Sequence, residues 1–476
     1  MKDGRGLSVR QRPRMLASLF AGLAARASGV ASEAEDQRPD IVVLLLNDAR
    51  DGDQIAMPKT MAWLAESGAT FPNSFLTTPL CCPSRASIFT GLYPHNHGVY
   101  DNRAGPNGGW EGFAQRGNRG RTIGAILQDA GYFTAAVGGY LNGRKPGAGS
   151  EPGWSIGPGG RRRRKGGKRG KGGKGGKGKR GRNRVRRSAA SGLSSAVAAI
   201  AAAPSGQPML LHVGFDAPHV PAIPSPRHAG AFAGARIDRG DPAFDEADVA
   251  DKPKYVSNLG RLSGGQMAWL DNLHQRRLET LLGVDDEIAA IRDALAARGR
   301  LENTYIFLLT DNGYLMGHHR LYGKMAPYDG AVRFPLLALG PAFAAGTVDR
   351  RLVGNIDLAP TIVALAGAAG PPMDGRSLLS DSGRDAILIE LLGRDLESMD
   401  WPGERADVPR YGALRTANHL YVEYESGARE LYDHRRDPAE VQNLFAAPLS
   451  PADNAAAAQL GARLASLRSC RSGSCR

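Results

Sequence analysis

Cysteine is scarce in this chain, with four residues in 476. Cys81 and Cys82 are adjacent, and Cys470 and Cys475 share the tail. The tail pair would close one small terminal disulfide in an exported protein, and would otherwise be two exposed thiols. No apolar run approaches the about 20 residues that cross a bilayer, so nothing in the sequence reads as an integral membrane span. Acidic residues are missing altogether from Arg161 to Arg187, where Val185 is the sole apolar side chain and no aromatic occurs. Such a stretch cannot bury a core and is expected as a disordered loop. Without aromatics it also lacks a stacking platform for single-stranded nucleic acid.

What is present begins with length. The 476 residues, 42% hydrophobic, suit one large α/β domain with a smaller attachment. The formal net charge of +14 is local: sixteen of the 61 Lys and Arg lie between Arg161 and Arg187, leaving 45 against 47 acidic residues. The body is therefore near neutral. The tract itself reads either as a polyanion tether, for a sulfated glycan or nucleic acid, or as a low-complexity insertion with nonspecific binding. At the N-terminus, Arg10, Arg12 and Arg14 precede the apolar run Met15 to Ala25 and small residues through Ala31. That is the layout of a secretory signal and implies a secreted or periplasmic protein. Read instead as a disordered or helical extension, it leaves a cytoplasmic one.

Asp40 to Leu46 opens on a polar residue and then runs apolar without a break, the pattern of a strand buried on both faces, and it delivers Asn47-Asp48 to its C-terminal end, where α/β sheets place ligands. Helices are expected over Met57 to Gly68, with Pro58 in the first turn, and over Ser84 to Phe89, Thr122 to Ala130, Ser194 to Ala203, Met267 to Leu282 and Val284 to Ala297. The last two read as packing helices. Strands are expected over Tyr132 to Val137, Met209 to Phe215 and Thr304 to Thr310, the last ending in Asp311-Asn312-Gly313. The alternation indicates an α/β fold.

The most specific stretch is Cys81-x-Pro83-Ser84-Arg85 followed by Thr90-Gly91. It resembles the signature of the sulfatase family, in which the first cysteine is oxidised to formylglycine, the family's nucleophile. Tyr93-Pro94-His95-Asn96-His97-Gly98 extends the likeness toward the glucosamine-6-sulfatase and heparan endosulfatase branch. The chemistry of sulfate ester hydrolysis explains the need for such a residue. A sulfate monoester is an anion that repels nucleophiles, so a site must supply both a strong nucleophile and cations for the oxygens. A formylglycine-generating enzyme is an implied partner.

The resemblance assigns further residues. Arg85 would hold the hydrated aldehyde and the carboxylates beside the metal. Asn47, Asp48, Asp311 and Asn312 would ligate a divalent cation, Ca2+ or Mg2+. The family carries two aspartates where this chain has Asn47-Asp48, so one negative charge is lost unless Asp51 or Asp53 compensates. In Ala217-Pro218-His219, His219 would contact a sulfate or leaving-group oxygen and act as general acid. From Gly317 to Lys324, Lys324 would bind a sulfate oxygen and His319 the substrate. The family's Gly-Lys-Tyr-Leu-Asn element appears here as Gly138-Gly139-Tyr140-Leu141-Asn142, with Gly139 in place of the lysine. Removing a cation beside a developing oxyanion costs roughly 3 kcal/mol; Arg144 and Lys145 are the nearby candidates to fill the gap.

The implied architecture is alkaline-phosphatase-like: a large mixed sheet flanked by helices, with a small C-terminal α+β subdomain. The expected divisions are a signal-like or disordered segment (1–37), a catalytic domain (38–383) with the basic insert (159–188), a small subdomain (384–447) resembling the family's closing sheet, and a helical or flexible tail (448–476). The expected activity is hydrolysis of a sulfate monoester on a sulfated sugar or other small molecule. The competing expectation, carried by Asn47 and Gly139, is a catalytically impaired sulfatase-like protein that binds polyanions through residues 161–187.

Overall fold

Six consecutive apolar residues, Ile41 to Leu46, leave a strand no side to turn toward water, and Asp40–Asn47 lies at the centre of a sheet. The computed structural model describes residues 38–144, 151–158, 161–162, 190–381, 383–393, 402–403 and 406–476. The expected N-terminal signal, Lys145 and most of the basic insert lie outside these residues. In the central strand Ile41, Val43 and Leu45 enter one core, and Val42, Leu44 and Leu46 the other. Each such side chain contributes up to about 1.5–3 kcal/mol by leaving water.

The main sheet has nine strands in the order Thr347–Val348, Ala69–Phe71, Leu336–Leu339, Thr304–Thr310, Asp40–Asn47, Met209–Pro218, Phe133–Gly138, Ile156–Gly157 and Arg161–Arg162. Five neighbours, from Thr304–Thr310 through Ile156–Gly157, are mutually parallel, and the antiparallel strands Leu336–Leu339 and Arg161–Arg162 flank them. Parallel pairing sends their C-terminal ends to one edge, four of them carrying Asp311-Asn312, Asn47-Asp48, the loop to His219, and Gly138-Gly139.

One face is covered by helices Cys81–Thr90, Ile123–Asp129 and Leu358–Leu365, the other by Ala190–Ala202 and the long helix Gly264–Ala297. Two helices divided at Gly283 were expected; the structure runs one through it. A helix-interior glycine costs about 1 kcal/mol, but the buried stripe Leu270, Leu273, Leu278, Leu281, Val284, Ile288 and Ile291 continues in register across it. Ser263 and Gln266 close the helix start with a capping box. The segment expected as a helix over Met57 to Gly68 is a short turn, Pro58–Thr60, continued by a π-helical turn, Met61–Ala65. Asp285 of the long helix accepts from Lys59 N, Thr60 N and Thr60 Oγ1 at 2.7–3.1 Å, capping donors that the short turn leaves free.

A second, antiparallel sheet pairs Ala386–Leu391, Tyr411–Thr416, His419–Tyr424 and Arg429–Asp433 in that order. Helix Pro451–Leu467 packs on one face through Leu460 and Leu464, while Ile387, Ile389 and Val422 on the other meet Phe75, Leu315 and Tyr328 of the main body. Cys470 and Cys475 form a disulfide. No described helix is long and apolar enough to cross a membrane.

Candidate active site

The Cys81 helix begins three residues before the expected start. Leu80 is extended and Cys81 is the first helical residue, so the cysteine sits at the strand-end edge of the sheet. Cys82 N donates to Asn102 Oδ1 at 2.8 Å, and Asn355 Nδ2 donates to Ser84 Oγ at 2.9 Å, fixing the first turn from two sides. The helix stops at Gly91, whose φ of +68° suits glycine. A Cβ there would also press Met373 at 3.0–3.2 Å. The Thr90-Gly91 half of the motif is thus a helix terminus with a close neighbour.

Cys81 Sγ receives a hydrogen bond of 2.8 Å from Lys324 Nζ, and the same ammonium donates to Asp48 Oδ1 at 2.8 Å. Asn312 Nδ2 donates to Asp48 Oδ1 at 2.7 Å. Asn47 Oδ1 lies 4.0 Å and Asp48 Oδ1 3.8 Å from the sulfur. Burial alone would raise the Asp48 carboxyl, yet Lys324 and His219 hold it well below the carboxylate range. Burial would likewise lower the Lys324 ammonium, but Asp48 and Cys81 keep it above its ordinary value. Burial, reinforced by Asp311 and Asp48, pushes the Cys81 thiol far up in spite of Lys324. A bare cysteine here is protonated at neutral pH and is a poor nucleophile.

Asp311 accepts from Asp48 N at 3.0 Å and Asn312 N at 2.8 Å through Oδ1, while Oδ2 takes Arg85 at 2.7–2.9 Å. Arg85 also donates to Tyr140 O at 2.9 Å. His219 Nδ1 lies 2.6 Å from Val220 O, an atom that can only accept, so the proton sits on Nδ1 and Nε2 is left 3.6 Å from Asp48 Oδ2. Two buried oxygens, Asp48 Oδ2 and Asn312 Oδ1, accept no hydrogen bond among the described residues. With Asn47 Oδ1 they form an oxygen set suited to a hard cation.

A cleft of about 640 Å³ opens beside this group and includes Asn47, Arg85, Gly139 and His219 in its walls. A Cβ at Gly139 would meet Arg85 Nη1 at 3.5 Å, an ordinary contact, so a side chain fits at the position. Arg144 does not fill the gap in this arrangement, since it pairs with Glu151 at 3.5 Å. Asp53 is engaged by Arg50 N and Arg277, and Asp51 faces Arg333 at 3.7 Å, so neither joins the oxygen set.

Eight of the nine residues singled out from the sequence therefore meet. His319 is held elsewhere: its Nδ1 pairs with Glu246 Oε2 at 2.7 Å and its ring lies 4.1 Å from that of Tyr328. No hydrogen bond or ion pair joins it to the Cys81 group among the described residues.

Sequence reasoning missed Arg277. Fully buried in the long helix, it donates to the carbonyls of Asp48 and Pro218, pairs with Asp53 at 3.2 Å and lies 4.8 Å over Tyr314. It braces Asp48, whose φ of +66° is unusual for a non-glycine residue. A signal existed: Arg277 stands four residues after Leu273 and four before Leu281, a charge on the apolar stripe.

Two family models match: Sulfatase over residues 39–368, and N-sulphoglucosamine sulphohydrolase, C-terminal, over 317–469. The chain is 32% identical over 438 residues to the extracellular sulfatase SULF-1 homolog of Drosophila melanogaster, covering 86% of this chain and 38% of that protein. It is 30% identical to human N-acetylglucosamine-6-sulfatase, covering 92% of this chain and 86% of that one. The chain thus spans well under half of the fly relative's length. A solved protein in complex with its substrate D-glucosamine-2-N,6-O-disulfate superimposes with a TM-score of 0.67 at 20% identity, covering 90% of this chain and 97% of the other. At that identity the likeness concerns the fold.

Proposed function

Since the chain belongs to the sulfatase family, we propose that it hydrolyses a sulfate monoester on a sulfated sugar. The observation that carries this reading is the single ammonium of Lys324, 2.8 Å from both Cys81 Sγ and Asp48 Oδ1, beside two buried oxygens without hydrogen-bond donors. The sugar is supported by the human relative, an N-acetylglucosamine-6-sulfatase. Export is supported by the fly relative, an extracellular sulfatase homolog.

The family's nucleophile is formylglycine, and Cys81 is the residue proposed to carry it. The protonated, buried thiol supports that reading, because the unmodified side chain is poorly suited to attack sulfur. Asn47, Asp48 and Asn312 would hold a divalent cation, Ca2+ in this proposal because neutral carbonyl oxygens predominate. Asp311 would support it indirectly, since its oxygens are engaged by Arg85 and two backbone amides. Bound there, the cation would neutralise sulfate charge and acidify a coordinated hydroxyl.

The chain's own residues would supply the rest. Lys324 and Arg85 would set fixed positive charge around the sulfate oxygens, with no reorganisation during reaction. His219 keeps its Nδ1 proton on Val220 O and, as the imidazolium with a second proton on Nε2 beside Asp48 Oδ2, would deliver that Nε2 proton to the departing alcohol oxygen and be left neutral.

Mass spectrometry of the tryptic peptide Thr60 to Arg85 from the native host tests the proposal. An aldehyde in place of the Cys81 thiol is expected, together with turnover of 4-nitrophenyl sulfate that Cys81→Ala abolishes. An unmodified thiol in an inactive protein would overturn it in favour of a polyanion-binding sulfatase relative.

A further inference from the structure

The cleft does not end at the cations. It continues past His219 to Asp216 and, on the long helix, to Thr280, Val284 and Glu287. Asp216 is exposed and Glu287 half-buried, and among the described residues neither carboxylate makes a hydrogen bond or an ion pair. Nearby cations are engaged by other acids. Asp286 takes Lys59, Arg227 at 2.6 Å and His228 at 2.9 Å, and Arg85 belongs to Asp311. Arg276 donates to Pro221 O at 2.9 Å. One cleft thus has a cationic end suited to the sulfate and, beyond it, two carboxylates that form no direct ion pair among the described residues, with Arg227, already paired to Asp286, acting on Glu287 only from a distance.

Resting on the sulfatase reading, we propose that Asp216 and Glu287 form a leaving-group subsite that selects sulfate esters whose alcohol carries an unsubstituted, cationic amine, such as an amino sugar. An ammonium entering between the two acids gains attraction in a partly desolvated cleft. A second sulfate or a carboxylate at the same place meets like charge and is disfavoured. Burial, reinforced by Asp216 and Asp286, pushes the Glu287 carboxyl up to about 7 against the opposing pull of Arg227, so an ammonium entering the cleft would favour its charged form. Val284 and Pro221 add apolar wall for the C–H face of a sugar ring.

The test measures binding and turnover separately at pH 7, with glucosamine 6-sulfate and its N-acetyl counterpart on the full-length protein. Calorimetry should show the free amine binding at least about fivefold tighter than the N-acetyl form. Glu287→Gln combined with Asp216→Asn should erase that ratio. In turnover, the amine preference is read relative to 4-nitrophenyl sulfate within each variant, so a general loss of activity does not mimic it. Equal binding of the two sugars by the wild type, or a preference that survives in the double variant, overturns the subsite. If the wild type hydrolyses none of the three esters, the sulfatase reading falls, while the calorimetric ratio still decides the subsite.

Discussion

Two buried carboxylates in this protein are solvated in opposite ways. Glu430, in the small C-terminal sheet, is fully buried and has both oxygens occupied: Tyr328 and Tyr432 donate to Oε1 at 2.9 and 2.6 Å, and Tyr424 donates to Oε2. Asp48 is equally buried, yet Oδ1 receives both Lys324 and Asn312 while Oδ2 receives no hydrogen bond. The first arrangement is complete, and joins the two sheets because Tyr328 comes from the main body. The second is unfinished, and an incomplete polar shell in a water-poor site is unfavourable until something occupies it. The contrast separates a junction from a binding site without reference to any motif.

The sharpest way to break this comparison is to remove the charge at Asp48. Asp48→Asn should lower turnover of 4-nitrophenyl sulfate by at least about a thousandfold. Added Ca2+ should raise the melting temperature of the chelated wild type, and Asp48→Asn should abolish that rise, since stabilisation by a ligand follows its affinity for the folded state. A calcium-dependent rise that persists in the variant would mean Asp48 Oδ2 is not a ligand.

At the junction the expected loss is of stability. Glu430→Ala leaves three tyrosine hydroxyls facing a hole and should destabilise the protein by about 3 kcal/mol in denaturant melts. Turnover per folded molecule should stay near wild type. Glu430→Gln should be milder and has a distinct pH signature. Burial raises the Glu430 carboxyl above its ordinary value of 4.5 even though three hydroxyls favour the charged form. The folded state therefore holds this proton more tightly than the unfolded one. Its contribution is fully present below pH 4.5 and is lost as the pH rises toward the folded value. The Gln variant should lack that decline when its melts are compared with wild type above pH 4.5; parallel curves would show that Glu430 is not the group responsible.

The smallest expected change is a gain. Gly139→Lys would restore a cation at the cleft wall, where a Cβ makes only ordinary contacts. Turnover should rise about tenfold, less than a full oxyanion donor supplies, because Arg85 and Lys324 already occupy the region. A folded variant with unchanged kcat would show that the site works without that charge.

Much of the fold was legible in the sequence because its strands are local patterns. Asp40–Asn47 and Thr304–Thr310 are apolar runs that no other element could bury, and they lie where periodicity placed them. The split expected at Gly283 failed because a local helix penalty was weighed without the packing that opposes it. Within the site, the motif order was sufficient to nominate Cys81, Arg85, His219 and Lys324. It was not sufficient for Arg277, whose partners are two carbonyls that carry no side-chain signature. Nor did it show that His319 belongs with Glu246, a pairing of buried groups 73 residues apart.

The sequence by itself determined which chemical groups exist, which strands end in them, and that a glycine stands at position 139 where the resembled family has a lysine. Those are properties of short segments, governed by side-chain identity and period. Only the tertiary structure decided how the groups divide their work. Asp48 N and Asp311 Oδ1, separated by 263 residues, meet because their strands are parallel neighbours. That contact and Arg85 occupy Asp311 and leave Asp48 Oδ2 open, so two acids alike in sequence differ in environment. Free valence is a property of what lies within about 3 Å, and that is set by the packing of the whole sheet.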